Sequence, residues 1–244
     1  MSVDFHIVIP ARYASTRLPG KPLRLIHGKA MIQWVYESAG QSDAREVIVA
    51  TDDQRIFDAV HEFGGQASLT SSQHQTGSDR ILEVAEQRNW DDQTIVVNLQ
   101  GDEPLMPAAN LTQVARNLDS SSCDMATLYK KIDESEARNP NQVKLVHDSQ
   151  GRALYFSRSI IPFDRDGGYQ GYCGHIGIYA YRVSFLHSFS QLPNCELELT
   201  EKLEQLRALW NGYRIHTDLA AELPGPGVDT EEDLETVTRL LKKT

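Results

Sequence analysis

Three cations, Arg12, Arg17 and Lys21, lie close together in the stretch IVIPARYASTRLPGKPL at positions 7–23, with no acidic residue between them. Uncompensated positive charge on a short segment can hold an anion such as a phosphate. Two carboxylates could complement it: Asp102 in QGDEP at 100–104, and Asp229 in GVDTEED at 227–233. Hard oxygens on two separate loops suit Mg²⁺, which takes one or two carboxylates and completes its shell with substrate phosphates. Each feature also has a plainer explanation. The cations could be a solvated loop and Asp102 part of a turn. Asp229 with Glu232, or Thr230 with Asp233, fits a helix capping box. The chemistry follows only if both acidic loops converge on the basic one.

Convergence depends on the elements that carry these residues. Ile7-Val8-Ile9 predicts a buried strand ending at Pro10, which has no N–H to continue a ladder. The segment after it is a loop, broken by Pro19, Gly20 and Pro22. It is not a P-loop, because Pro22 follows Gly20-Lys21 where Ser or Thr is needed and Ser15 replaces the first Gly. No G-x-G-x-x-G follows a strand-like run, which argues against a dinucleotide-binding loop.

Ile32, Val35, Tyr36 and Ala39 have helical spacing, and Val47–Ala50 reads as a second strand ending at Thr51-Asp52-Asp53. Ile56, Ala59, Val60 and Phe63 predict a helix stopped by Gly64-Gly65. A helix over 79–89 then leads to a third strand at 95–99. This alternation predicts an α/β fold with a doubly wound, mostly parallel sheet, which binds ligands at the carboxyl edge of its strands. The basic loop and Asp102 would share that edge.

The second half is less regular, with short strands expected at 143–146, 153–156, 176–181 and 214–217, a helix over 198–211 and a closing helix marked by Leu234, Val237 and Leu241. Residues 1–244 read as one domain, with 150–190 as a candidate insertion or subunit-contact region.

Three further polar clusters stand out. Thr76-Gly77-Ser78-Asp79-Arg80 opens a helix whose N-terminus could receive an anion, or be capped by Ser78. His175, Gly177 and Tyr179 alternate onto one strand face. Glu204 and Gln205 flank the apolar stripe of the 198–211 helix.

A chain of 244 residues can bury roughly 70–75% of its unfolded surface, enough for one large α/β domain. Its net charge of −10 argues against a general nucleic-acid binder. Cys123, Cys173 and Cys195 form no C-x-x-C and suggest neither a disulfide framework nor a zinc site. No signal-peptide pattern or membrane-length apolar run is visible, so a cytoplasmic protein is expected.

Seven blocks occur in order: the 9–23 loop, ATDD at 50–53, NLQGDEP at 98–104, ALYFSR at 153–158, HIGIYAYR at 175–182, LEQLR at 203–207 and GVDT at 227–230. Together they resemble the 3-deoxy-manno-octulosonate cytidylyltransferase (CMP-Kdo synthetase) family over nearly the whole chain. The resemblance implies a nucleotide-diphospho-sugar transferase-like fold with a small insertion forming a dimer contact. It also implies transfer of CMP from CTP to the sugar acid Kdo, with release of pyrophosphate, for bacterial lipopolysaccharide synthesis by a cytoplasmic, Mg²⁺-dependent homodimer.

By position, Arg12 and Lys21 would hold the CTP phosphates, with Arg17 and Arg80 close to the nucleotide and Gln100 lining the site. Asp102 and Asp229 would hold the metal, while Arg158, His175, Tyr179, Glu204 and Gln205 would surround the sugar. Gly174 stands where the family places Arg or Lys, so the sugar carboxylate should rely on other donors. The residues name no general base. A close analogue such as 8-amino-Kdo, or a non-catalytic binding module on the same fold, are the alternative readings.

Overall fold

The computed structural model describes residues 3–14, 17–74 and 76–241; Ser15, compared above with a P-loop glycine, lies outside them. The first half alternates as expected: β1 (Phe5–Ala11), a hairpin of β2 (Leu25–Ile26) and β3 (Lys29–Ala30), α1 (Met31–Ala39), β4 (Glu46–Thr51), α2 (Gln54–Glu62), β5 (Ala67–Leu69), α3 (Gly77–Gln87) and β6 (Ile95–Asn98). Next come α4 (Ala108–Ser120), β7 (Met125–Lys131), α5 (Glu134–Arg138), β8 (Lys144–His147), β9 (Ala153–Ser157) and β10 (Cys173–Arg182). The chain closes with α6 (Val183–Ser190), α7 (Glu196–Glu201), α8 (Gln205–Trp210), β11 (Ile215–Leu219) and α9 (Glu231–Leu240).

The sheet order is β11-β7-β10-β6-β1-β4-β5. β1 pairs parallel with β4 on one side and β6 on the other, so the chain reverses its winding there. Such a switch point opens a crevice beyond the carboxyl ends of the strands. The parallel pattern does not extend throughout, because β10 is antiparallel to both β6 and β7. β10 also corrects the expected 150–190 insertion, since its second half is a central strand. The β8–β9 hairpin joins the sheet through β8, which pairs with β10.

β1 shows why the sheet is two-sided. Phe5, Ile7 and Ile9 face a core with α1, α2 and α4, while Val8 faces another with α3, α6 and α8. The strand runs past Pro10, contrary to expectation, and Pro10 still aligns with Ala50 of β4. Pairing with β6 has ended at Val8, so the missing N–H interrupts no bond there.

The 198–211 helix is two helices, broken at Lys202 in the left-handed region (φ 55). The break buries Leu203 and Leu206 but leaves Trp210 exposed. At α3 the cap is Thr76 in a capping box with Asp79, not Ser78.

A third apolar cluster positions the site. Leu18 of the basic loop, Ile26, Met31, Val228, Leu234 and Val237 bury together, docking the C-terminal segment against the N-terminal loop. Each such side chain contributes about 1.5–3 kcal/mol, whereas the exposed Arg24–Glu231 pair nearby is worth about 0–1 kcal/mol. Apolar burial therefore brings the two ends of the chain together.

Candidate active site

Lys21 opens a 3-10 turn (Lys21–Leu23) just after Gly20, whose φ of 65 sets the loop's direction. Its Nζ donates to Asp102 Oδ2 at 2.6 Å, Val228 O at 2.9 Å and Asp229 Oδ1 at 3.0 Å, using all three donors. Arg17 NH2 reaches the same Asp229 oxygen at 3.0 Å. Two of the three loop cations expected to be uncompensated, Arg17 and Lys21, are thus paired by acids that arrive from two other loops. Burial opposes the charge on Lys21, but Asp102 and Asp229 outweigh it and raise its pKa.

Backbone contacts hold the two acidic loops together. Val228 N–H donates to Asp102 O at 2.9 Å and Gly225 N–H to Leu105 O at 3.2 Å. Gly227 lets the loops pack closely, since a Cβ there would lie 2.9 Å from Glu103 Oε1 and would displace that carboxyl. Sequence reasoning passed over Glu103. Burial first, then Asp102 and Asp229, push its carboxyl up to about 8 against the pull of Lys21. Its place beside Asp102 in QGDEP was the available signal; its desolvation was not visible.

Two cavities meet at these residues. The smaller, about 460 Å³, is lined by Pro10, Arg12, Lys21, Gly77 and Gln100, the larger, about 890 Å³, by Lys130, Gln142, Arg158, His175 and Gly177. Arg17, Asp102 and Asp229 line both. The N-terminus of α3 opens at Gly77 into the smaller cavity, where its dipole favours an anion. Arg12 NH2 donates to His74 O at 3.1 Å and Gln100 Nε2 to Asn98 Oδ1 at 3.2 Å.

On the larger cavity's wall, Arg158 Nε donates to Glu201 O at 2.8 Å and its NH1 to Pro140 O at 3.1 Å. His175 lies with its Nε2 2.9 Å from Thr127 Oγ1, and burial lowers its pKa to about 3. The ring is therefore neutral and offers a carboxylate no positive charge. Gly174 has a packing reason: a Cβ there would lie 2.8 Å from Ile132 Cγ2.

The remaining expected residues line neither cavity. Arg80 is fully buried, bonded to Thr70 Oγ1 and, at 3.2 Å, to Asp52 Oδ2. Its place behind the end of β4 corrects the expectation of a direct nucleotide contact. Glu204 accepts from Ser78 Oγ at 2.5 Å and Arg207 NH2 at 3.0 Å, tying α8 to the start of α3; burial raises its pKa against these bonds. The Tyr179 ring lies tilted to that of His175 with centroids 5.4 Å apart, and burial keeps it a phenol. Gln205 is buried, its Nε2 without a hydrogen-bond partner among the described residues.

Residues 6–215 match the cytidylyltransferase family. The chain is 53% identical over 247 residues to a 3-deoxy-manno-octulosonate cytidylyltransferase of Vibrio vulnificus, covering 98% of each. It is 54% identical over 253 residues to one of Pseudomonas fluorescens, covering 99% of this chain and 100% of that one. A solved structure of CMP:2-keto-3-deoxy-manno-octonic acid synthetase complexed with CTP superposes with a TM-score of 0.92 at 46% identity, covering 97% of this chain and 98% of that one. A cytidylyltransferase from Leptospira borgpetersenii shares the fold, with a TM-score of 0.63 at 20% identity over 99% of this chain and 89% of that one.

Proposed function

The chain belongs to the cytidylyltransferase family, as one of its 3-deoxy-manno-octulosonate enzymes, and from that premise we propose that CTP occupies the smaller cavity and the sugar acid the larger. The enzyme activates Kdo with CTP, giving CMP-Kdo and pyrophosphate. Neither the 8-amino analogue nor a non-catalytic binding module is favoured. The observation that carries the assignment of the cavities is their shared wall at Arg17, Asp102 and Asp229, where a nucleotide phosphate and a sugar hydroxyl can meet.

The reaction joins the anomeric hydroxyl oxygen of Kdo to the α-phosphorus of CTP and breaks the bond to the pyrophosphate. Negative charge grows on the phosphoryl oxygens and the leaving group, so the residues' task is positioning and charge stabilisation. In this reading Lys21, Arg12 and the α3 N-terminus hold the phosphates. Arg17 spans the junction, and Arg158 with Lys130 receives the sugar carboxylate. A protonated Glu103 against Gly227 supports the Asp229 loop.

The donor set suits Mg²⁺. The Lys21 ammonium already bridges two carboxylates and a carbonyl, a point where a cation is stabilised by hard oxygens. Among the described residues no group of three or more His, Cys, Asp or Glu converges, so phosphates and water would complete the shell. Asp102 and Asp229 would hold the ion. When bound it supplies Lewis-acid stabilisation of phosphoryl charge.

A homodimer fits the exposed Leu154, Phe163 and Tyr169 of the 153–172 segment, and light scattering in solution tests it. No helix among the described residues is long and apolar enough to cross a membrane. A cytoplasmic enzyme feeding lipopolysaccharide synthesis is consistent with water-soluble substrates. The decisive experiment measures pyrophosphate release with CTP, Mg²⁺ and Kdo. Release dependent on all three is expected; release without the sugar would overturn the reading.

A further inference from the structure

Resting on that reading of the larger cavity, we infer that Thr127 fixes His175 in the tautomer whose Nδ1 is a hydrogen-bond acceptor, so that His175 reads a hydroxyl of the sugar acid rather than its carboxylate. Thr127 lies in β7 and is fully buried. Its Oγ1 is 2.7 Å from Ile178 O, 3.2 Å from Ile176 O and 2.9 Å from His175 Nε2. A hydroxyl has one proton, and both carbonyls can only accept. The proton therefore goes to a carbonyl, the nearer being Ile178 O, and Nε2 must carry the hydrogen that it donates to Oγ1. The opposite arrangement would turn an oxygen lone pair on both carbonyls, one of them at 2.7 Å, with no proton between.

A register shift produces this cluster. Ile176 aligns with Leu128 but Tyr179 with Thr127, so β10 advances three residues while β7 advances one. Two extra residues, an even number, leave His175 and Tyr179 on the same face. The imidazole is then fixed by Phe156 edge-on, centroids 5.1 Å apart, and by Tyr179. Nδ1 has no protein partner among the described residues, and it is the ring's remaining polar atom on a residue that lines the larger cavity. Burial keeps the doubly protonated ring, which would offer Nδ1–H, out of play near neutrality. A lone pair accepts from an O–H and repels a carboxylate. Thr127 is a positioning residue, acting through His175.

Nitrogen-15 NMR of the histidine-labelled, ligand-free enzyme tests this without turnover. His175 should show the Nε2–H pattern; an Nδ1–H pattern would overturn the inference even if the enzyme converts CTP and Kdo. Kinetics supply the second readout. Thr127→Val should mix the tautomers and raise KM for Kdo roughly tenfold, the scale of one lost hydrogen bond, with KM for CTP changed less than twofold. Thr127→Ser, which keeps the hydroxyl, should restore both the tautomer and the sugar KM. An unchanged sugar KM in a folded Thr127→Val enzyme would also overturn it. Absence of wild-type turnover with Kdo, beside the Nε2–H pattern, would instead refute the sugar assignment and with it the hydroxyl-reading role.

Discussion

Lys21 Nζ lies 2.6 Å from Asp102 Oδ2, although the two residues are 81 positions apart. The contact makes the phosphate loop and the strand-end acid one charged unit, and Asp229 joins it from 208 positions away. A lysine held in this way is pre-positioned. It neutralises the two acids without substrate, and donating to a phosphate requires it to exchange one of its three present acceptors.

Asp102→Asn and Asp229→Asn should each lower kcat/KM by about 10²–10³-fold, the scale of losing one preorganised electrostatic group. The check is a Mg²⁺ titration of the rate for each variant, with folding confirmed separately. Near wild-type turnover at limiting Mg²⁺ would remove either residue from the metal site.

The C-terminal segment should be held by apolar burial more than by charge. Leu234→Ala, in the cluster that seats Val228 next to Asp229, should cost about 2–5 kcal/mol of stability. Arg24→Ala, which removes only the exposed pair with Glu231, should cost under about 1 kcal/mol. Urea unfolding of the two variants tests the order, and a larger loss for Arg24→Ala would contradict it.

Acid should destabilise the enzyme partly through His175. Its pKa falls from 6.5 unfolded to about 3 folded, so between these values the unfolded chain binds more protons. Stability from this residue is then fully present above about 6.5 and lost progressively as pH falls towards 3. The difference in unfolding free energy between pH 7 and pH 4.5 should be smaller in His175→Asn than in the wild type. An equal or larger difference would mean that the imidazole is not held neutral.

Gly177 is on the wall of the larger cavity, and a Cβ built there meets nothing within 4 Å. Glycine is therefore demanded by neither packing nor backbone strain. Gly177→Val should place its methyl groups in the sugar's space and raise KM for Kdo well above its effect on KM for CTP. Steady-state kinetics with each substrate varied in turn would show the split, and equal weakening of both would argue for a general disturbance of β10.

Much of this was legible in the sequence because it depends on near neighbours. Continuous apolar runs made β1, β4 and β6, helical spacing made α1 and α2, and the parallel order placed the 12–21 loop and Asp102 at one sheet edge. The residue types at that edge, three cations and the carboxylate of Asp102, suggested the chemistry, and the order of the blocks pointed to the family. What only the tertiary structure decided depends on packing between distant segments and on exclusion of water. The Leu18–Val228–Leu234 cluster brings Asp229 to Lys21. Burial turns Glu103 into a weak acid and encloses Arg80 away from the nucleotide cavity. The shift between β7 and β10 sets Thr127 against His175, a contact that no local pattern encodes, because register is chosen by the whole sheet.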